Sequence, residues 1–202
     1  MTMKVGVLAL QGDSQAHARV LRGLGAEVRD VRRCAELCDL EGLILPGGES
    51  TTLLKLMGDE PWFEQLRRFH DEGGALFGTC AGAILLSREV QRPPQPSLGL
   101  LDAVIERNSY GRQADSFVTR IETWEPGGFV EAVFIRAPRF RSLGPVVQVL
   151  GRYEEEAVLV RQGRILAATF HPELTSDSRI HRYFLGLVQE ERLRKQTLRA
   201  VG

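Results

Sequence analysis

The stretch Gly74-Ala75-Leu76-Phe77-Gly78-Thr79-Cys80-Ala81-Gly82-Ala83-Ile84-Leu85-Leu86 decides the fold. Its apolar first third reads as a buried strand, and Ala83-Ile84-Leu85-Leu86 reads as the first turns of a helix. A sharp strand-to-helix turn pushes its central residue into an unusual backbone conformation and lifts the side chain clear of the sheet. The residues two before and two after must then be small, and here both are glycine, Gly78 and Gly82. That is a nucleophile elbow with Cys80 in the place more often held by serine. The following helix turns N–H groups and a positive dipole end toward the sulfur, favouring thiolate and offering donors to a developing oxyanion. A lone cysteine is commonly a small core residue, so the rest of the chain must supply its partners.

Upstream, apolar runs alternate with helical patterns. Lys4–Leu10 reads as a central parallel strand, breaking at Gln11-Gly12-Asp13. Asp13 or Ser14 is expected to cap a helix burying Ala16, Val20, Leu21 and Leu24. Ala26–Val31 and Leu40–Leu45 read as further strands, the latter ending at Pro46-Gly47-Gly48-Glu49-Ser50. Ser50 or Thr51 is expected to cap a short helix to Met57, and Pro61 to open another over Trp62–His70. This alternation predicts an α/β fold: a doubly wound, mostly parallel central sheet with flanking helices. Sites in such sheets lie at the carboxyl ends of strands, where Gln11, the Pro46–Ser50 loop and Cys80 converge.

Downstream, the proline-punctuated Arg88–Gly99 reads as a surface connection. Short runs follow at Leu101–Glu106, Ser116–Glu122, Ala132–Ile135, Val146–Leu150, Ala157–Arg161 and Ile165–Phe170. They predict strands, some antiparallel, with a tight turn at Gln162-Gly163. A last helix is expected over Ser178–Arg194, with a frayed tail beyond it. No linker or repeat divides the 202 residues, so one domain over 1–202 is expected.

Composition excludes several classes. Formal net charge is zero and no basic run occurs, which argues against nucleic-acid or anionic-membrane partners. No apolar stretch approaches the ~20 residues of a membrane span, and the amino end lacks a signal-peptide shape. Three cysteines argue against a disulfide scaffold and for a cytoplasmic setting. Cys34 and Cys38 lack a second Cys/His pair and read as ordinary thiols, so no metal site is expected.

A thiolate nucleophile wants a base, and the base wants an orienting carboxylate. His17, His70 and His181 fall on helices and read as solvated or structural. His171 instead follows a buried strand, with Glu173 two residues on and Pro172 between. An extended segment would put both side chains on one face. Glu173 would then hold one imidazole nitrogen while the other faces Cys80.

Gly-x-Cys-x-Gly followed by His-Pro-Glu resembles the class I (triad) glutamine amidotransferases. Further blocks resemble the glutaminase subunits of pyridoxal 5′-phosphate synthases. These are Ala9–Gly12, Leu45–Thr52, Gly78–Gly82, Glu106–Gln113, Phe134–Pro138 and Phe170–Leu174, and they span nearly the whole chain. The resemblance implies hydrolysis of L-glutamine to glutamate and ammonia, with the ammonia passed to a synthase subunit in a hetero-oligomer. That subunit makes pyridoxal 5′-phosphate from a pentose phosphate and a triose phosphate. It implies no cofactor or metal in this chain. It implies Cys80 as nucleophile, His171 as base then acid, and Glu173 as the orienting group. Gly47, Gly48, Glu49, Arg107, Ile135 and Arg136 are implied to bind glutamine. A backbone N–H of the Gly47-Gly48 pair and that of Ala81 would form the oxyanion hole. Glutamine's α-carboxylate calls for a cation and its α-ammonium for a carboxylate or carbonyl; Arg107 and Glu49 suit these roles without being individually assigned. Gln11, near the crevice, is expected to link partner docking to oxyanion-hole formation. A glutaminase subunit of another synthase, such as that of imidazole glycerol phosphate, a γ-glutamyl hydrolase or peptidase, and a silent scaffold are the competing readings.

Overall fold

The computed structural model describes residues 2–107 and 116–201, so Asn108–Gln113 of the Glu106–Gln113 block lie outside the described residues. Twelve strands are described: β1 (Lys4–Leu8), β2 (Glu27–Val31), β3 (Gly42–Leu45), β4 (Ala75–Thr79), β5 (Ser87–Gln91), β6 (Leu101–Glu106), β7 (Ser116–Thr123), β8 (Gly128–Ile135), β9 (Arg139–Leu143), β10 (Gln148–Tyr153), β11 (Glu156–Gln162) and β12 (Ile165–Ala168). Five α-helices accompany them: α1 (Ser14–Gly23), α2 (Ser50–Met57), α3 (Trp62–Asp71), α4 (Ala81–Leu86) and α5 (Arg179–Val201).

Nine strands form one sheet in the order β2-β1-β3-β4-β12-β11-β10-β7-β8. From β2 to β12 the neighbours are parallel. From β12 to β8 they are antiparallel. Within the parallel strands alternate residues feed two separate cores, as the pleat requires. Val5, Val7, Ile44, Phe77 and Leu166 join Ala18 and Leu21 of α1 and Phe184 and Val188 of α5. Leu8, Leu43, Leu45, Leu76 and Ile165 join Leu53 of α2, Trp62 and Leu66 of α3 and α4. Each fully buried Phe or Leu contributes roughly 1.5–3 kcal/mol, so both faces of the sheet are anchored. The central sheet is thus covered on both sides, and β4 runs through its middle with Leu76 and Phe77 fully buried.

Several local expectations are corrected. The first part of Arg88–Gly99, expected as a surface connection, instead belongs to strand β5 (Ser87–Gln91), paired in parallel with β6. With β9, which pairs antiparallel to β6, it builds a second three-stranded sheet over the α4 face. The α1 face that is buried is Ser14, His17, Ala18 and Leu21, while Ala16, Val20 and Leu24 are only partly covered. Neither Asp13 nor Ser14 makes a side-chain cap on α1; Asp13 stands at the cap position and only its backbone carbonyl accepts from the helix, from Ala16 N–H at 3.0 Å. Helix α2 is capped by Glu49 rather than Ser50 or Thr51. Helix α5 continues past Arg194 to Val201 where a frayed tail was expected.

Candidate active site

Cys80 stands at the N-cap of α4 with φ 46° and ψ −102°. Its N–H donates to the Ala168 carbonyl at 2.8 Å, tying the turn to β12. The glycines permit this. A Cβ on Gly78 would lie 2.5 Å from the Gly82 carbonyl carbon, and one on Gly82 would lie 1.8 Å from the Leu45 carbonyl oxygen. Both obstacles are backbone and cannot move aside. Holding a non-glycine residue at such a φ costs about 1–3 kcal/mol, and that cost is concentrated at the sulfur-bearing residue.

His171 follows the end of β12, and its N–H donates to the Val133 carbonyl at 2.8 Å. Its Nδ1 lies 2.8 Å from Glu173 Oε1, with both residues buried. The pairing arises differently from the extended geometry expected of His171–Glu173. Pro172–Leu174 forms a single 3-10 turn, and Pro172 occupies its first position, where no N–H is needed. That turn brings the carboxylate back under the imidazole.

Electrostatics follow from the packing. Burial pushes the imidazole of His171 down, but the neighbouring Cys80 sulfur and the hydrogen-bonded Glu173 carboxylate outweigh it and raise its pKa to about 10. Burial alone would raise Glu173, yet His17 and His171 hold it well below the usual carboxylate range. Glu173 is therefore an ionised acceptor for the His171 Nδ1–H, leaving Nε2 as the ring's other nitrogen.

Cys80 and His171 open into a cavity of about 300 Å³, also walled by Gly48, Glu49, Arg107 and Arg136. Ile135 and Ile84 give it an apolar side. Arg107 is nearly covered and donates to Glu49 Oε1 at 3.2 Å and Thr51 Oγ1 at 3.0 Å. Glu49 caps α2, accepting from Thr51 N at 3.0 Å and Thr52 N at 2.7 Å. Desolvation opposes its ionisation, but these donors keep its pKa at about 2. Arg136 follows β8 in the left-handed region at φ 45°, a second strained residue on the cavity wall.

Gly47, Ala81, Gln11 and Glu173 support the cavity from behind rather than lining it. A Cβ on Gly47 would meet His171 Cε1 at 2.3 Å, so the imidazole lies directly on this glycine. Gly48, at φ 133°, packs against the Gln11 amide, whose Nε2 donates to the Glu49 carbonyl at 2.9 Å. Gln11 thus clamps the loop bearing Gly47, Gly48 and Glu49. Ala81 is the first residue of α4, where an N–H has no intrahelical acceptor.

Sequence reasoning missed Asp13, which reaches the cavity rim, and the two helical histidines. His17 and His181 are fully buried, His17 directly behind Glu173 and His181 against His17. The signal for His17 was available: Ser14, His17, Ala18 and Leu21 fall at helical spacing on one face. Asp13, His171 and Glu173 also bring ligand-type atoms within 4.8 Å of one another. Both Glu173 oxygens already face imidazole nitrogens, which fits a hydrogen-bonded triad better than a cation cage. Among the described residues no helix is long and apolar enough to cross a membrane.

A cysteine on a strained elbow, a His–Glu pair behind it and a two-faced α/β sheet turning antiparallel at one end define a class I glutamine amidotransferase fold. Solved structures agree. A crystal structure described as a glutamine amidotransferase superposes with a TM-score of 0.87 at 52% identity, covering 92% of this chain and 98% of that one. A putative GMP synthase subunit from Thermoplasma acidophilum shares the fold at TM-score 0.70 and 20% identity, covering 97% of this chain and 98% of that one. The chain belongs to the SNO glutamine amidotransferase family, whose model matches residues 7–190. It is 54% identical to the pyridoxal 5′-phosphate synthase subunit PdxT of Koribacter versatilis, over 93% of this chain and 96% of the relative. It is 52% identical to the PdxT of Deinococcus radiodurans, over 93% and 98%.

Proposed function

We propose that this chain is the glutaminase subunit of a cytoplasmic pyridoxal 5′-phosphate synthase, hydrolysing L-glutamine and delivering ammonia to a synthase partner in a hetero-oligomer. The observation that carries the chemistry is that Cys80 and His171 line one small cavity, with the imidazole held by Glu173 at 2.8 Å. Membership of the SNO family and the PdxT relatives support the choice of pathway.

The thiolate of Cys80 attacks the γ-carboxamide carbon of glutamine, forming a C–S bond. Charge develops on the amide oxygen, which the N–H of Ala81 and one from Gly47-Gly48 receive. His171 Nε2–H then protonates the amide nitrogen, the C–N bond breaks, and ammonia leaves a γ-glutamyl thioester. His171, now neutral, takes a proton from water as the water attacks the thioester. The C–S bond breaks, glutamate departs, and the thiolate–imidazolium pair is restored. Glu173 steadies the imidazolium throughout. Arg107 and Glu49 recognise the α-carboxylate and α-ammonium of the substrate. Gln11, which clamps the loop carrying the Gly-Gly donors, links docking of the partner to assembly of the oxyanion hole.

Ammonia release from L-glutamine, measured with and without the synthase partner, tests the reading. Release that rises with partner and disappears in Cys80→Ala is expected. Release indifferent to the partner would overturn the pyridoxal assignment while leaving the glutaminase chemistry.

A further inference from the structure

Behind the triad lies a buried polar chain that the mechanism above does not use. His17 of α1 and His181 of α5 are both fully buried, and so is Thr79 at the end of β4. His17 Nδ1 lies 2.9 Å from His181 Nε2. His17 Nε2 lies 3.2 Å from Thr79 Oγ1 and 3.3 Å from Glu173 Oε2. Among the described residues that Glu173 oxygen accepts no hydrogen bond, its approach to His17 Nε2 being an electrostatic contact, and nothing bonds His181 Nδ1. Phe77 meets both rings edge-on, at centroid distances of 6.3 and 5.9 Å, and fixes their planes.

Hydrogen-bond accounting selects one arrangement of protons. A single proton bridges the two imidazoles. If it belonged to His17 Nδ1 in a neutral ring, the bare His17 Nε2 would turn its lone pair on the Glu173 carboxylate. If His17 carried both protons, the neutral His181 would keep its proton on Nδ1, a buried N–H with no acceptor, which native proteins rarely tolerate. With Nε2–H on both rings, His181 donates to His17, His17 donates toward Glu173 Oε2 and Thr79, and only a lone pair is left unused. Burial pushes His181 down to about 3, consistent with its neutrality here.

We propose that His17, oriented by His181, is a positioning residue for the glutaminase reaction: its Nε2–H fixes Glu173 Oε2 so that Oε1 faces His171 Nδ1. The assignment rests on the triad reading above. The groups facing Glu173 are His17 from α1, His171 on its own turn, His181 one step behind on α5, and Asp13 at the cavity rim. Removing His17 strips a donor from a buried carboxylate and raises its pKa, so Glu173 becomes protonated, and useless as an acceptor for His171, at a higher pH than before.

Turnover of L-glutamine by the full chain with its synthase partner is the assay, comparing His17→Leu with His17→Gln. The leucine removes both polar atoms, whereas the glutamine amide offers a donor toward Glu173 and an acceptor toward His181. Loss of a buried polar contact to a charged group, comparable in size to a charge-assisted hydrogen bond, predicts a fall in kcat of about 10–100-fold for His17→Leu. The KM for glutamine changes less than about twofold, because His17 does not line the cavity. The acid limb of the kcat profile moves to higher pH, and His17→Gln restores most of kcat. Equal losses in both variants, an unmoved acid limb or a rise in KM alone would overturn the assignment. Nitrogen-15 NMR of the wild-type histidines is independent of turnover and of variant folding. It should find the proton on Nε2 of both His17 and His181, and an Nδ1–H on either refutes the relay. If the wild type with bound partner releases no ammonia, the glutaminase reading fails, and the NMR result still decides the proton arrangement.

Discussion

Adding one methyl group at Gly47 should disable the site without replacing a reacting residue. A Cβ there would stand 2.3 Å from His171 Cε1, 2.8 Å from Nδ1 and 3.2 Å from Nε2. Ordinary contact begins near 3.4 Å, so the ring must retreat by about 1.1 Å, the difference between 3.4 and 2.3. The ring is the end of a rotatable side chain, so the fold survives, but the 2.8 Å bond to Glu173 and the approach to Cys80 do not. Misplacement of a reacting group by about 1 Å costs on the order of 100-fold, so Gly47→Ala should lower kcat for ammonia release about 100-fold. Loss of a buried, charge-assisted hydrogen bond should remove about 1.5–3 kcal/mol of stability, which for a chain of this size lowers Tm by about 3–12 °C. Gly186→Ala is the control. Gly186 lies inside α5 with open space at its Cβ, so the change should leave turnover unaltered and add about 0.5–1 kcal/mol. A Gly47→Ala enzyme within threefold of wild type would refute the packing of this glycine on His171.

Two further outcomes follow from the electrostatics. The pKa of His171 is about 10 when folded and near 6.5 otherwise, so the folded state binds this proton more tightly. Its contribution to stability is complete below pH 6.5 and is lost progressively as pH rises through 10. Urea unfolding between pH 7 and 10 should show that decline, with a shallower slope in Cys80→Ala because one source of the raised pKa is gone; equal slopes would count against the pairing. Glu49→Ala removes the α2 cap and the Arg107 partner together, so it should cost about 1 kcal/mol and raise the KM for glutamine more than it lowers kcat.

The parallel half of the sheet and the elbow were legible because buried strands and flanking glycines leave strong local marks. The His171–Glu173 pair was legible too, although a 3-10 turn replaces the extended segment, since either backbone brings the two side chains together. The second sheet was not legible. Arg139-Phe140-Arg141-Ser142-Leu143 is a mostly polar edge strand, and Ser87–Gln91 becomes a strand only because β6 lies beside it. The cap of α2 was expected at Ser50 or Thr51, the usual capping types, whereas the carboxylate of Glu49 one residue earlier accepts from the first-turn N–H groups. His17 and His181 are far apart in sequence, and only the packing of α1 against α5 makes them neighbours.

The account turns on Cys80 carrying the glutamyl group. Turnover with L-glutamine and the synthase partner, quenched with acid and mapped by peptide mass spectrometry, tests this most directly. A glutamyl adduct on the Cys80 peptide is predicted, with Cys34 and Cys38 unmodified as internal controls. Ammonia release continuing in Cys80→Ala, or an adduct on another residue, would contradict it.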